Sequence, residues 1–322
     1  MSQFENYLVH EFVDDYVDGI MSRRDMMRRV LHITGGVAAT ATVLTQLGVK
    51  SADAQEGTPP PRPTPTGPRS SVSVAEDDPS VTASDVAFPG AGGDEITGYQ
   101  AMPAEGDGPF PVVLICHENR GLTDHIRDVA RRWATQGYVA AALDLLSREG
   151  GTAGIADPAE LPALLSDESK LQRHVDDFKA AAVFYGTQEF ADGTRLAMTG
   201  YCFGGGITWR AATEMPELNG AAPYYGPPPP LEAVPNIQAA VLGVYSDDPE
   251  DFANEGREEL IVALEDAGVT FEIMVYPDTE HAFHNDTGPR WNEEQALAAW
   301  NDTVAWFKTY VKNASAWATP TA

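Results

Sequence analysis

A cysteine between two glycines is the residue of this chain best suited to covalent chemistry. Cys202 lies at the centre of the sequence Gly-Tyr-Cys-Phe-Gly, residues 200–204. The apolar run 195–199 before it favours a strand, and residues 207–212 after it suit a helix. A strand, a sharp turn and a helix in this order predict a nucleophile elbow, whose glycines leave room for a strained cysteine with its thiol exposed at the end of the strand. A buried structural cysteine in a glycine-rich turn is the alternative.

A thiol nucleophile needs a base, and the base needs an acid that orients it. His281 follows the last predicted strand, and three carboxylates, Asp247, Asp248 and Asp251, follow the strand before it. The chain order is therefore nucleophile, acid, histidine, which is the order found in α/β-hydrolases. We predict a Cys-His-Asp triad at the carboxyl ends of the strands, with Cys202 as the nucleophile and His281 as the base.

Apolar runs that alternate with helical periodicity predict the frame for these residues. The stretches 81–88 and 96–102 flank a glycine-rich turn and predict a hairpin. Further strands are predicted at 111–116, 138–143, 195–199, 220–225, 239–245 and 270–276, and helices at 124–136, 168–187, 207–212, 253–267 and 292–312. This alternation predicts an α/β fold with a mostly parallel, doubly wound sheet flanked by helices, and ligands bind such sheets beyond the carboxyl ends of the strands.

Residues 1–54 are typical of an export signal. The sequence Ser-Arg-Arg-Asp-Met-Met at 22–27 resembles a twin-arginine signal, and a mildly apolar run over 30–49 leads to a small-residue cleavage site at 52–54. The run is too polar for a membrane span. An N-terminal amphipathic helix with chance basic flanks is the alternative. We expect a soluble protein without stable membrane insertion, exported by a twin-arginine route to the periplasm or the extracellular space and beginning near Gln55.

The rest of the chain divides into a spacer and one domain. Residues 55–79 are rich in proline and threonine, cannot bury enough apolar surface to fold, and predict a disordered linker. Residues 80–322 are enough for one large α/β domain with a substantial core.

The charge is strongly acidic. Residues 55–322 hold 16 of the 21 basic and 41 of the 48 acidic side chains, a net charge of −25, and only four of the basic residues are lysines. Nucleic acid and anionic membranes are poor partners for such a surface. An acidic, lysine-poor surface favours a halophilic protein, because screening by salt removes the self-repulsion. An ordinary acidic exported enzyme is the alternative.

The chain contains two cysteines, Cys116 and Cys202. Two cysteines make a weak disulfide framework for a domain of this size, so we interpret both as free thiols. Cys116 ends a continuous apolar run, which favours a packing role. We expect no metal and no cofactor, and we expect the protein to be a monomer.

Three motifs give the sequence a family resemblance. They are His-Glu-Asn-Arg-Gly at 117–121, Gly-Tyr-Cys-Phe-Gly-Gly at 200–205 and His-Ala-Phe at 281–283. With them, residues 84–311 resemble the dienelactone hydrolase (carboxymethylenebutenolidase-like) family, a branch of the α/β-hydrolase fold whose nucleophile is a cysteine. The resemblance implies that Cys202 attacks an ester or lactone carbonyl and that His281 shuttles the proton.

The resemblance also implies roles for residues around the thiol. Backbone N–H groups of Phe203 and Asn119 would form the oxyanion hole. Glu118 matches a glutamate that contacts the resting thiol and moves away when substrate arrives. The alternative for Glu118 is an ion pair with Arg120 or Arg127 at the rim. Four side chains would line the substrate pocket: Arg120, Tyr201, Phe283 and Asn285.

Two departures from the family pattern affect these assignments. The family aspartate usually lies four residues after the tyrosine of its strand, where this chain has Pro249. We therefore assign the triad acid to Asp248 by a shift of one residue, with Asp251 as the second choice. An arginine that holds a substrate carboxylate in the family is replaced here by Asn285, which favours a neutral ester or lactone.

The leading hypothesis is a hydrolase that cleaves an ester or lactone through a thioester intermediate. A second hypothesis for the same site is acyl transfer to an acceptor other than water. A third hypothesis is a binding protein, which keeps the pocket but has lost turnover. The displaced aspartate is the feature that favours this third hypothesis.

Overall fold

The computed structural model describes residues 3–17, 19, 21–47, 49 and 67–313. The predicted cleavage site at 52–54 and residues 55–66 of the predicted linker lie outside the described residues. Eight strands form one sheet: β1 (Val81–Pro89), β2 (Glu95–Pro103), β3 (Phe110–Cys116), β4 (Val139–Leu143), β5 (Ala191–Tyr201), β6 (Gly220–Tyr224), β7 (Ala240–Ser246) and β8 (Phe271–Tyr276). Their order is β1-β2-β4-β3-β5-β6-β7-β8. Strands β3 to β8 are mutually parallel, and β2 is antiparallel to both of its neighbours.

The central strands are buried on both faces. All five residues of β4 and all seven of β7 are buried, as is every residue of β3 after Phe110. Their sequences are continuous apolar runs, as expected when helices cover both faces of a parallel sheet. The outer strands β1 and β8 have exposed positions because each has a partner on one side only.

Nine α-helices surround or precede the sheet: α1 (Gln3–Val17), α2 (Arg23–Thr34), α3 (Val37–Gln46), α4 (Asp124–Thr135), α5 (Leu161–Leu165), α6 (Glu168–Tyr185), α7 (Phe203–Glu214), α8 (Arg257–Ala267) and α9 (Glu293–Phe307), within the described part of the chain. Helix α4 buries its apolar stripe, and its Trp133 stacks on Phe307 at 5.1 Å, which joins α4 to α9. The predicted doubly wound α/β sheet of an α/β-hydrolase fold is confirmed.

The first three helices form a small unit of their own. Side chains of α1 pack on those of α2 and α3 through a buried apolar cluster of Val9, Phe12, Val13, Met21, Met26, Val30 and Leu44. Ser22 caps α2, where its Oγ accepts a hydrogen bond from the backbone N–H of Asp25 at 3.2 Å. Among the helices of the described residues, none has both the length and the apolar character that crossing a membrane would require.

The segment 69–74, predicted as part of the disordered linker, is bound to the domain. Backbone N–H groups of Arg69 and Ser70 donate to Asp286 at 2.9 and 2.8 Å. The N–H of Val74 donates to Asp128 at 2.7 Å, and Arg131 donates to the carbonyl of Val74. The linker prediction was therefore wrong for these residues, because buried carboxylates of the domain supply their hydrogen-bond partners.

Candidate active site

Cys202 stands at a strained turn between β5 and α7. Its backbone angles are φ 57° and ψ −118°, in a region that residues with a side chain rarely adopt. A Cβ added at Gly200 would lie 2.2 Å from the carbonyl oxygen of Gly204. One added at Gly204 would lie 2.5 Å from the carbonyl oxygens of Cys116 and His117. The two glycines are needed because the turn is this tight, and the predicted nucleophile elbow is present.

His281 lies in the turn that follows β8, and its partner is Asp251. The Nδ1 atom of His281 is 2.9 Å from Oδ1 of Asp251, and both side chains are buried. Ser246 at the end of β7 donates to the other oxygen of Asp251 at 2.6 Å. The carboxylate is thus fixed by two side chains and oriented toward the histidine.

The assignment of the acid to Asp248 was wrong. Asp248 accepts a hydrogen bond from the backbone N–H of Glu250 and does not contact the histidine. Asp247 accepts from the N–H groups of Asp278 and Thr279, and so anchors the turn that leads to His281. Asp251, the second choice, precedes a short 3-10 turn and caps it through the N–H of Ala253. Asp251 lies six residues after Tyr245, two more than the spacing that the family resemblance implies, and its side chain reaches the imidazole.

His281 and Asp251 each stabilise the charged form of the other. Burial alone would raise the pKa of Asp251, but the charge of His281 and the hydrogen bonds from His281, Ser246 and the N–H of Ala253 lower it. Burial alone would lower the pKa of His281, but the charge and hydrogen bond of Asp251 raise it above its ordinary value. The Nε2 atom of His281 has no hydrogen-bond partner in the described residues. It is therefore available to exchange a proton with a reacting group.

The carboxylate that contacts the thiol is Glu11 of α1. The Sγ atom of Cys202 donates to Oε1 of Glu11 at 3.2 Å, and the hydroxyl of Tyr7 lies 3.7 Å from the same sulfur. The thiol is 3 % exposed, although an elbow predicts an exposed nucleophile. Burial, with the negative charges of Glu11 and Glu118, raises the pKa of Cys202 well above its ordinary value. A thiol in these surroundings stays protonated and is a poor nucleophile.

Glu118 does not hydrogen-bond the thiol in this structure, and that expectation is corrected. Its Oε2 accepts from Asn285 at 2.5 Å, and its buried Oε1 has no partner in the described residues. The alternative ion pairs are not formed either, since Arg120 pairs with Asp15 and Arg127 pairs with Asp85. Burial raises the pKa of Glu118.

The two backbone groups predicted for an oxyanion hole follow two neighbouring strands of the sheet, β5 and β3. Phe203 is the first residue of α7, so its N–H has no carbonyl of its own helix to bond. Asn119 lies in the turn after β3, the strand next to β5. Neither N–H donates to a protein acceptor in the described part of the chain. Both are therefore available to a ligand oxygen.

The pocket at the thiol contains two of the four predicted lining residues. It is lined by Glu11, Asp15, Glu118, Asn119, Arg120, Cys202, His281, Ala282, Asn285, Gly288, Pro289 and Arg290. Arg120 and Asn285 are among them, as predicted. Tyr201 and Phe283 are fully buried below the pocket, where Tyr201 stacks on His284 at 5.0 Å and Phe283 packs on Tyr225 at 5.7 Å. Their placement in the pocket was wrong because both rings point into the core.

Glu11, Cys202 and His281 also form a group that could hold a metal ion. Each offers a ligand atom, and these atoms lie within 4.8 Å of one another. In the structure the same groups bond to protein partners: the thiol to Glu11, and the imidazole to Asp251.

Three charged residues of the pocket were missed from the sequence. Glu11 and Asp15 lie in the segment interpreted as an export signal, and their contacts span more than 100 positions of the chain. No local pattern indicates such a contact. Arg290 lies beyond the His-Ala-Phe motif, and its pairing with Asp14 at 3.0 Å is equally remote in sequence. The repeat of Tyr7, Glu11 and Asp15 at intervals of four is the signal that could have placed three polar groups on one helix face.

Comparison with known proteins identifies relatives of the whole domain. The model of the dienelactone hydrolase family matches residues 96–311, which include Cys202, Asp251 and His281. A candidate carboxymethylenebutenolidase of Escherichia coli (strain K12) is 34% identical over 258 residues, which cover 76% of this chain and 93% of that protein. The corresponding protein of Salmonella typhi is 36% identical over 233 residues, 68% of this chain and 84% of its own.

A solved structure shows the same fold. The crystal structure of a candidate dienelactone hydrolase from Klebsiella pneumoniae subsp. pneumoniae superposes with a TM-score of 0.65 at 33% identity. The match covers 71% of this chain and 99% of that one.

Proposed function

Since the chain belongs to the dienelactone hydrolase family of carboxylic ester hydrolases, we propose that it cleaves an ester or lactone through a triad of Cys202, His281 and Asp251 and a thioester intermediate. One observation carries this proposal. The thiol of Cys202 and a ring nitrogen of His281 lie within 4.8 Å of each other, and Asp251 bonds Nδ1 of the same imidazole.

In the first half of the reaction, Nε2 of His281 takes the proton of the Cys202 thiol, and the thiolate attacks the carbonyl carbon. The carbonyl π electrons move onto the oxygen, which the N–H groups of Phe203 and Asn119 stabilise. Each such donor contributes on the order of 3 kcal/mol to the transition state. The oxyanion then reforms the carbonyl, the C–O bond to the alkoxy group breaks, and His281 gives its proton to that leaving oxygen.

In the second half, a water molecule attacks the thioester with His281 as its general base. The same two N–H groups hold the second oxyanion. The C–S bond breaks, the thiolate regains a proton from His281, and the carboxylic acid leaves. Asp251 accepts the Nδ1 proton of the imidazole throughout, which fixes the tautomer that these steps need and stabilises the imidazolium.

Hydrolysis by the purified chain, and by the chain with Glu11 and Asp15 both replaced by alanine, tests the proposal. The panel consists of short p-nitrophenyl esters and lactones, measured at low and high salt. We expect Cys202→Ala to abolish turnover and Cys116→Ala to keep most of it, because Cys116 is fully buried in β3. Iodoacetamide should inactivate the chain in parallel. Turnover that survives Cys202→Ala and is lost in Cys116→Ala would overturn the assignment, and added alcohol acceptors would reveal acyl transfer.

The residue at position 285 favours a neutral substrate. The family resemblance implies an arginine there that holds a substrate carboxylate, and this chain has Asn285 instead. The side-chain amide of Asn285 donates to Glu118. We therefore propose a neutral small ester or lactone, bound by a monomer that engages neither nucleic acid nor membrane.

We further propose export by a twin-arginine route to the periplasm or the extracellular space. Arg23 and Arg24 begin the motif, and residues 52–54 supply a small-residue cleavage site. Fractionation of cells that express the full chain tests this proposal. Export of the native chain, lost when both arginines become lysine, is the expected result, and export that does not depend on these arginines would overturn it.

A further inference from the structure

Three side chains of α1 lie on one face of the helix and are buried against the catalytic site. Tyr7, Glu11 and Asp15 are spaced by four residues, so they line up along the helix. Their exposed fractions are 3 %, 5 % and 3 %. A tyrosine and two carboxylates buried to this extent must have partners elsewhere in the protein. Those partners are the functional groups of the pocket.

The middle of α1 holds the nucleophile. Glu11 accepts the hydrogen bond of the Cys202 thiol through Oε1, and its Oε2 accepts from the side-chain amide of Asn119. The ring of Tyr7 packs against Phe252 at 5.2 Å, while its hydroxyl faces the sulfur. The helix thus contacts the thiol and one of the two residues of the oxyanion hole together.

The end of α1 holds the pocket wall. Asp15 pairs with Arg120, and Asp14 pairs with Arg290 at 3.0 Å. At the other end, Asn6 donates to Glu255 at 3.1 Å.

The cavity that remains beside the thiol has a volume of about 110 Å³. Sites for organic ligands are ~300–1,000 Å³, so an ester of even modest size has no room while α1 is in place.

Helix α1 also lies outside the part of the sequence that matches the family. The family match begins at residue 96, so α1 lies outside it. Its apolar face packs on α2 and α3, so the three helices form one unit. The hydrogen bonds and ion pairs of α1 with the pocket join polar and charged groups, which can exchange protein partners for water when the helix leaves.

We propose that α1 is an intramolecular cover that blocks the substrate site and holds Cys202 in a resting state, so that the site opens only when α1 is displaced or removed. The inference rests on the proposed function to the extent that Cys202 is the nucleophile. Glu11 takes the place beside the thiol that the reacting carbonyl group must occupy. Cleavage after Ala54, if it accompanies export, would release α1 and with it the block.

The reactivity of the thiol in the full chain tests this inference without requiring turnover. Glu11→Ala/Asp15→Ala removes the contacts to the thiol and to Arg120, and alanine preserves the helix. We expect the rate of Cys202 alkylation by iodoacetamide, followed by peptide mass spectrometry, to rise at least tenfold. The matched control is Glu265→Ala/Asp266→Ala, which removes the same charge from exposed positions of α8 and should leave the rate unchanged.

An alkylation rate equal to that of the unsubstituted chain would overturn the cover, provided that circular dichroism shows the variant folded. For a variant that does not fold, Glu11→Gln alone serves the same test, because it keeps the shape of the side chain and removes its charge. A faster alkylation without any ester hydrolysis would support the cover and count against the proposed function. Faster alkylation together with faster hydrolysis supports both.

Discussion

The Nδ1 atom of His281 lies 2.9 Å from Oδ1 of Asp251, and both groups are buried at the carboxyl ends of neighbouring strands. This hydrogen bond fixes the imidazole and leaves Nε2 without a protein partner in the described residues. It also stabilises a positive charge on the ring, because Asp251 remains ionised.

Asp251→Asn should lower kcat for ester hydrolysis by about 10³–10⁴-fold, since an amide can donate to Nδ1 and so hold the wrong tautomer. Asp248→Asn is the matched control and should change kcat little. Steady-state kinetics on one good ester substrate measures both. A large loss in Asp248→Asn with normal turnover in Asp251→Asn would contradict the structure.

The pH profile should report the same pair. The pKa of His281 is raised above its ordinary value by Asp251, and the reaction needs the neutral imidazole. We therefore expect kcat/KM to fall on the acid side through a pKa above about 6.5, the ordinary value of histidine. In Asp251→Asn the acid-side fall of the residual kcat/KM should occur at lower pH, because the charge that stabilises the imidazolium is gone. If the fall occurs at the same pH in both proteins, a group other than His281 is responsible for it.

Asp286 should stabilise the loop that carries His281. Its side chain is buried and receives hydrogen bonds from His125 and Arg132, each at 2.7 Å, and from two backbone N–H groups of the segment 69–74. Burial alone would raise the pKa of Asp286, but His125 and Arg132 hold it far below its ordinary value. Asp286→Asn should lower the free energy of unfolding by about 3–5 kcal/mol, the cost of breaking a buried ion pair.

Thermal and denaturant unfolding at neutral pH measure this loss. Because the pKa of Asp286 is lowered on folding, its contribution is fully present above about pH 3.9 and declines as the pH falls toward the folded-state value. Asp85→Asn, which removes an exposed partner of Arg127, is the control and should have little effect. Equal Tm values for Asp286→Asn and the unsubstituted chain would show that Asp286 does not stabilise the loop that carries His281.

Salt should stabilise the protein. With a net charge of −27 and 48 acidic side chains, self-repulsion is weakly screened at 0.01 M salt, where the Debye length is about 30 Å, and largely removed near 1 M, where it is about 3 Å. We expect Tm to climb through the molar range of sodium chloride, with activity following it. Sodium chloride is the suitable salt, because sulfate strengthens apolar burial in any protein. A Tm that stays constant or falls as sodium chloride is added would contradict the halophilic interpretation and favour an ordinary acidic hydrolase.

Local pattern was sufficient for the sheet and for the elbow. The buried strands are continuous apolar runs. A Cβ at Gly200 or Gly204 would lie only 2.2 to 2.5 Å from backbone oxygens, so the turn requires glycine at both positions. Both features therefore have a signature within a few residues. His281 was predicted for the same reason, since it follows a recognisable strand end.

The acid and the cover of the site could not be obtained in that way. Pro249 disrupts the spacing after β7, and only the folded loop shows that Asp251, as the cap of a 3-10 turn, reaches His281. Glu11 contacts Cys202 across 191 positions, from a helix whose sequence is also typical of a targeting segment. Which of its groups meet the thiol is decided by the packing of α1 on the domain.

Rapid-quench mass spectrometry with a p-nitrophenyl ester tests the central claim, covalent catalysis by Cys202, most directly. The chain and its Glu11→Ala/Asp15→Ala variant are quenched in acid within the first turnovers, digested and examined for the acyl group. We predict an acyl thioester on the peptide that contains Cys202, formed as p-nitrophenol is released and absent in Cys202→Ala. Hydrolysis without an acyl group on Cys202, or with one on Cys116 instead, would contradict the account.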